Sequence, residues 1–235
     1  MKCVWEHNGD DTLLYSVDYI GAYTRGATLE AAAAKMKDEI ASYCAWSGQS
    51  FEQTTKIEIV QEKSSSLQIM DADSDVLFDS EKDPLSREEY EALKALVLKS
   101  ARDFLDLYSS VPNKDESCMP QRRTFYGDVP RTAQEMYEHT KKVNSYYFAE
   151  IGIDADNEGT IYDCRKRGFA LLEQSTGFPD NAVVEGSYGE LWSLRKVMRR
   201  FLWHDRIHAK AMYRMAVKTF GDFGVENTFR FVERI

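Results

Sequence analysis

Three of the four histidines in this 235-residue chain have spacings that suit a shared metal ion. His204 and His208 are four residues apart, so on a helix their rings lie one turn apart on the same face and reach a common point. They belong to an otherwise apolar heptad stripe of the kind a bundle helix turns inward. The stripe consists of Leu194, Val197, Phe201, His204, His208, Ala211 and Met215. A second stripe, Met136, His139, Val143 and Tyr146, brings a third histidine to another inward face.

Buried imidazoles need partners for their ring nitrogens, because desolvating an unpaired polar group costs a few kcal/mol, about 2 or more. A shared divalent cation removes that cost for His139, His204 and His208 together. Three neutral imidazoles with an open fourth position are typical of catalytic zinc sites. Imidazole also binds nickel, copper and iron, so the residues alone leave the metal open. The alternative is that each histidine is a core residue with its own hydrogen-bond partner. The metal site is favoured, because two histidines lie four residues apart and a third lies on another inward stripe.

The histidines require long helices, and the second half of the sequence predicts four of them. Ser86 with Glu89 and Thr132 with Glu135 are capping-box patterns that begin helices. The predicted helices cover residues 86–108, 132–151, 160–174 and 189–218. This pattern predicts an all-α four-helix bundle within residues 81–235. The apolar tail after Gly221 is expected to pack on the fold or on a partner subunit.

The first 80 residues predict a small α+β domain. Short strands are expected at 4–5, 13–17 and 20–23, a helix from the N-cap Thr28 to about Trp46 with Gly48 after it, and further strands at 56–61 and 67–70. The acidic segments 71–75 and 79–84 lack the glycine and closing glutamate of a calcium loop, so they are interpreted as a solvated connector. The fold class is therefore an α+β N-terminal domain followed by a helical bundle.

Composition limits the partners. With a formal net charge of −9, the chain is a poor candidate for nucleic-acid or anionic-membrane binding. It has neither an apolar run long enough to span a bilayer nor a secretory signal pattern. Its four scattered cysteines form no CxxC pair and indicate reduced thiols. A cytoplasmic location is expected.

The order and placement of the histidines resemble the DinB-like superfamily of metalloenzymes. His139 in the second helix and the pair His204-Asp205-Arg206-Ile207-His208 in the fourth carry the resemblance, which covers about residues 86–218. It implies a four-helix bundle in which His139, His204 and His208 bind a divalent metal, commonly zinc or nickel. It also implies a thiol-dependent transferase or isomerase that uses a low-molecular-weight thiol, although many members have no assigned activity.

The N-terminal segment resembles the HicB-like antitoxin fold. The stretch from Tyr19 to Ala32, with Gly21 and Gly26, is similar to the strand–glycine–helix passage of that fold. An antitoxin of that kind pairs with a toxin and carries a DNA-binding segment. No basic segment suited to DNA lies in the first 80 residues, so a repurposed accessory domain is expected.

Further residues are candidates around the histidines. The basic side chains of the fourth helix form either a positive surface for an anionic substrate or a solvated face paired with acidic neighbours, and the second is favoured. Arg200 and Arg206 are nearest the histidine pair. The other candidates are Asp205 as an outer contact or surface group rather than a fourth ligand, Glu150 and Asp163 as acceptors for ring N–H groups, Tyr146 and Tyr147 as core aromatics or pocket walls, and Cys164 as an inert thiol.

Three functions remain open at this point. The first is a metal-dependent enzyme, a thiol-dependent S-transferase or hydrolase that acts on a small-molecule substrate. The second is a non-catalytic module that binds a metal or ligand. The third is an interaction protein in which the metal only stabilises the bundle. Bundles of this type often pair through helices, so a homodimer is one expected assembly.

Overall fold

A four-stranded sheet forms the N-terminal part of the protein. A computed structural model describes residues 1–50, 56–71, 73–124 and 127–232. Its strands are β1 (Lys2–His7), β2 (Thr12–Ser16), β3 (Tyr23–Gly26) and β4 (Glu58–Ser64), in the order β3-β2-β1-β4. The pairs β1/β2 and β2/β3 are antiparallel, and β4 runs parallel to β1. The fold is therefore mixed α+β, as predicted.

Helix α1 (Leu29–Ser47) covers one face of this sheet. It begins where the sequence predicts, because the Thr28 hydroxyl accepts a hydrogen bond from the Ala31 amide. It ends at Gly48, whose φ of 78° is the left-handed conformation that glycine favours. Cys3 and Leu14 pack beneath it in the main hydrophobic core.

Four further helices follow among the described residues. They are α2 (Arg87–Ser110), α3 (Ala133–Ala149), α4 (Ile161–Leu172) and α5 (Leu194–Phe220). Both predicted capping boxes are present, Ser86 with Glu89 and Thr132 with Glu135. Helices α2 and α3 each pack against both α4 and α5. No helix in the described part of the chain combines the length and apolar character that a membrane crossing needs.

Three predicted elements are wrong in type or extent. Residues 20–22 lie in a turn closed by the Ala22 amide on the Tyr19 carbonyl, and β3 begins only at Tyr23. The predicted strand at 67–70 is loop and a 3₁₀ turn, Ile69–Asp71. The last helix begins at Leu194 rather than near Gly189, because Ser193 caps it. The residues before it form a short hairpin, β7 (Val184–Glu185) with β8 (Leu191–Trp192); β5 (Arg123–Thr124) and β6 (Gly127–Asp128) form another.

The acidic stretch after β4 is not a solvated connector. Ala72 lies outside the described residues, but Val76 and Phe78 are buried against the second face of the sheet. They pack there with Tyr15 and with Trp203 of α5. The stretch therefore joins the sheet to the last helix.

The sheet and the helices share buried residues, so the predicted boundary near residue 80 does not coincide with a gap in the core. Gly21 shows how closely the parts approach: a Cβ there would lie 2.5 Å from the Cβ of Leu202 on α5. The apolar tail packs as expected at Phe229 and Phe231, whereas Phe223 is 94% exposed. Residues 233–235 of the tail lie outside the described part.

Candidate metal centre

Helices α3 and α5 bring the three predicted histidines together. His139 lies on α3, and His204 and His208 lie one turn apart on α5, which packs against α3. The ring centroids are 5.2 Å apart for His139 and His204, and 4.6 Å for His139 and His208. The centroids of His204 and His208 are 4.5 Å apart. One candidate ligand nitrogen from each ring lies within 4.8 Å of the other two.

The three side chains span the boundary between core and solvent. His204 is buried, His208 is partly buried and His139 is exposed. The position of His139 corrects the predicted inward stripe on α3, because Tyr146 on that stripe is also exposed. The buried face of α3 instead runs through Met136, Tyr137, Thr140, Asn144, Tyr147 and Phe148. The cluster is therefore closed on its α5 side and open to solvent on its α3 side.

The environment keeps these imidazoles neutral. Desolvation, together with repulsion from the neighbouring His139, lowers the pKa of His208 to about 3. Desolvation also holds the pKa of His204 well below its usual range, with added repulsion from the other two histidines and from Arg200 and Arg165. The pKa of His139 is lowered by desolvation and then by Lys142. Neutral imidazole is the form that binds a metal.

One buried nitrogen of the cluster lacks a hydrogen-bond partner. Nδ1 of His204 is buried, and it neither donates nor accepts a hydrogen bond within the described chain. An unpaired buried nitrogen costs about 1–3 kcal/mol, so such atoms call for an explanation. No carboxylate or thiol of the described residues joins the three rings closely enough to serve as a fourth ligand. The cluster thus offers nitrogen donors and no competing protein partner.

A buried ion pair lies directly behind the cluster. Asp205 is fully buried rather than at the surface, and its carboxylate pairs with both terminal nitrogens of Arg165 from α4. It also accepts a hydrogen bond of 2.8 Å from the Ser100 hydroxyl on α2. Burial raises the pKa of Asp205, while Arg165 opposes that shift. This pair ties α5 to α2 and α4 at the level of His204 and leaves Asp205 unavailable as a ligand.

Aromatic side chains flank the cluster on its other side. Tyr147 of α3 is buried, and its ring centroid lies 6.1 Å from that of His204 in an edge-on arrangement. The guanidinium of Arg200 lies 5.5 Å from the Tyr147 ring centroid. Tyr147 therefore lies beside both the imidazole and the guanidinium.

Several other predicted candidates lie away from the rings. The Glu150 carboxylate accepts from the Ser187 amide, and Asp163 pairs with Thr160 at the start of α4. Cys164 is buried with a pKa raised by desolvation, as expected of an inert thiol. His7 stacks on Trp5 and contacts Glu62 of β4 at 3.1 Å. None of these side chains contributes to the histidine cluster.

Three of the basic residues of α5 pair with acidic neighbours as expected, but they are buried rather than solvated. Lys196, Arg199 and Arg206 are buried, and each is paired with a carboxylate. The pairs are Lys196 with Glu190, Arg199 with Glu81 and Arg206 with Glu39. Arg206 thus points to α1 rather than to the histidines. Sequence reasoning missed Arg165, since nothing in its local sequence shows that it meets Asp205.

Comparisons of the chain with protein-family models, with curated proteins and with solved structures find no match. The DinB-like and HicB-like resemblances stay predictions that depend on the residues quoted for them.

Proposed function

We propose that this protein is a metal-dependent enzyme of the DinB-like superfamily, a thiol-dependent S-transferase or hydrolase. His139, His204 and His208 would hold one divalent ion, zinc or nickel, within a four-helix bundle formed by α2 to α5. The observation that carries the proposal is the convergence of three neutral imidazoles, with ligand nitrogens within 4.8 Å of one another, around a buried nitrogen that has no partner.

The donor set fits such an ion. Zinc–imidazole bonds of about 2.0–2.1 Å place the nitrogens of a tetrahedral site about 3.4 Å apart. The three nitrogens here need to approach by about 1.4 Å at most, which small rotations of the side chains provide. The imidazoles carry no proton to displace near neutral pH, because burial depresses the pKa values of His204 and His208.

The surroundings support a reactive site rather than a purely structural one. Structural zinc sites are closed by four protein ligands, whereas catalytic sites use three and leave one position for water or substrate. Only three ligand residues converge within the described chain, and the exposed side of His139 gives access from solvent. A divalent ion here would supply Lewis acidity and lower the pKa of a bound thiol or water.

Side chains around His204 would hold this metal ligand in place. The pair between Arg165 and Asp205 fixes α5 behind His204, and Tyr147 keeps water away from one side of the ring. In an S-transfer by substitution, the thiol proton leaves to solvent and the sulfur forms a bond to an electrophilic carbon, while the bond from that carbon to its leaving group breaks and the leaving group departs with the electron pair. The exposed side of His139 leaves room for a small molecule to approach.

The proposal is tested by the metal content and turnover of protein purified without a histidine tag. Wild type is expected to hold about one divalent ion per chain, and His139→Ala and His204→Ala are expected to lose it. His7→Ala is the matched control, because His7 lies on β1 outside the cluster, and it should retain the ion. The loaded wild type should then accelerate reaction of a small thiol with an electrophile, and His204→Ala should not.

Two results would overturn parts of the proposal. A wild-type chain that cannot be loaded with zinc, nickel or cobalt removes the metal site altogether. A chain that binds metal through the three histidines, yet accelerates no thiol transfer or hydrolysis, is a non-catalytic binding or interaction module instead.

A further inference from the structure

One cation near the histidines differs from its neighbours. Arg165, Lys196, Arg199 and Arg206 each have a carboxylate within salt-bridge distance. Arg200 has none among the residues that the structure describes. Its guanidinium donates a hydrogen bond from a terminal nitrogen to the Ser74 carbonyl, at 2.8 Å, and another to the side chain of Tyr147. The charge of Arg200 is therefore not neutralised by a protein anion in contact with it.

Aromatic rings surround this guanidinium. Its carbon lies 4.7 Å from the ring of Trp203, 5.5 Å from that of Tyr147 and 5.7 Å from that of Trp192. The ring faces stabilise the cation and hold it in place. Nε of the guanidinium is left without an acceptor.

Three buried donors around this point have no hydrogen-bond partner. They are Nε of Arg200 and the indole N–H groups of Trp192 and Trp203. Both tryptophans are almost fully buried. Donors without acceptors, grouped around an unneutralised cation, favour a ligand that brings negative charge and acceptor oxygens.

The position of Arg200 relates this donor group to the histidines. Arg200 and His204 are four residues apart on α5, so their Cβ atoms lie about 5–6 Å apart on one side of the helix. Tyr147 contacts both side chains. A separation of this size corresponds to a ligand of a few atoms between the histidine cluster and the guanidinium.

We infer that Arg200 is the residue that binds a carboxylate of the substrate, and that the substrate joins this carboxylate to its metal-binding group by a chain of about two or three carbons. The inference rests on the proposed function, because the histidine cluster defines the other end of the substrate. Arginine suits the role since its fork of donors matches two carboxylate oxygens.

The test uses cobalt-loaded protein and two small thiols that differ in charge. The probes are 3-mercaptopropionate and its neutral counterpart 3-mercapto-1-propanol, titrated while the sulfur–cobalt absorption is followed. Wild type is expected to bind the carboxylate-bearing thiol about tenfold or more tightly, as for hydrogen bonds to a charged group. In Arg200→Met the preference should vanish while cobalt content and affinity for the neutral thiol stay unchanged.

Two further variants keep the result interpretable. Lys218→Met removes a charge from the exposed last turn of α5, about 21 Å along the helix from His204, and should keep the full preference. Arg200→Lys retains the charge without the fork, and should keep part of the preference even if Arg200→Met does not fold.

The outcomes separate this inference from the proposed function. A chain that binds cobalt and the neutral thiol but shows no preference for the carboxylate overturns the role of Arg200 alone. An undiminished preference in Arg200→Met does the same. A chain that binds no cobalt overturns the metal site, and the inference with it.

Discussion

Helix α5 carries two kinds of polar side chain in the protein interior: cations that pair with carboxylates, and imidazoles that do not. Lys196, Arg199 and Arg206 are each paired with a carboxylate, two of them from residues more than one hundred positions away along the chain. Within the described part of the chain, no carboxylate joins His204 and His208, which lie beside each other and His139, with Tyr147 next to His204. Both groups include buried nitrogens without a hydrogen-bond partner. They differ in charge, because a carboxylate neutralises each of the three cations, whereas the histidine cluster contains imidazoles alone.

This difference separates structure from function within one helix. A buried charge that loses its partner is costly, so the ion pairs hold the α5 helix in a single position. Clustered neutral imidazoles give no comparable stability, because apolar side chains of similar size would fill the space equally well. The comparison predicts that changes on the two sides of α5 alter different properties.

The largest effect is expected from breaking the buried pair behind the cluster. Arg165→Met leaves the Asp205 carboxylate buried without a cation, and should lower the free energy of unfolding by about 3–5 kcal/mol. Urea denaturation measures it. A loss below about 1 kcal/mol would show that the pair does not hold α5 in place.

A smaller effect of another kind is expected at the histidines. Metal-free His204→Leu should be as stable as wild type or more so, because the substitution removes an unpaired buried nitrogen. Zinc at one hundred times its dissociation constant should stabilise wild type by about 2.7 kcal/mol and leave the variant unchanged. Thermal unfolding with and without zinc measures both. Equal stabilisation of the variant would place the zinc elsewhere, and His7→Gln should behave as wild type.

The stability of the metal-free protein should also depend on pH through His208. Its pKa is about 3 when folded and about 6.5 when unfolded. Between these values the unfolded chain binds the extra proton, so the free energy of unfolding falls as the pH falls below 6.5 and is constant above it. The slope is about 1.4 kcal/mol per pH unit.

The variant His208→Gln isolates this contribution from those of other titrating groups. Urea denaturation in the presence of a chelator, at pH 7.5, 6.0 and 5.0, should show a shallower loss for the variant than for wild type. Identical pH profiles would mean that His208 is solvated and titrates normally, contrary to its burial in the cluster.

The smallest effect on the free energy of unfolding is expected at Arg167, two residues from Arg165 on α4. Arg167 pairs with Asp156, but these side chains are 44% and 45% exposed. Arg167→Gln should lower the free energy of unfolding by less than about 1 kcal/mol, because exposed pairs are screened by water. The same urea measurement compares it with Arg165→Met. A similar loss in both variants would show that burial does not set the strength of these pairs.

Local signals in the sequence were sufficient for the elements that position the site. Ser86, Thr132 and Thr28 cap helices where predicted, since a cap depends on residues three positions away. The spacing of His204 and His208 likewise fixes their relation on one helix. These features need no knowledge of the rest of the fold.

Long-range features could not be derived in the same way. The exposure of His139 depends on how α3 is rotated against α5, and the heptad stripe on α3 predicted the wrong rotation. The pairing of Arg199 with Glu81 depends on an acidic stretch that looked like a solvated connector. The polar composition of that stretch is typical of a protein surface, but its Glu81 carboxylate neutralises the buried cation of Arg199.

The most direct test of the account is zinc K-edge X-ray absorption on the tag-free, zinc-loaded protein. A three-histidine centre predicts nitrogen or oxygen ligands at about 2.0–2.1 Å with the outer-shell scattering of three imidazoles in wild type. His139→Ala, which is expected to lose the ion, should show no such imidazole shell. A sulfur shell at about 2.3 Å, or fewer than three imidazoles in wild type, would contradict a metal centre built from His139, His204 and His208.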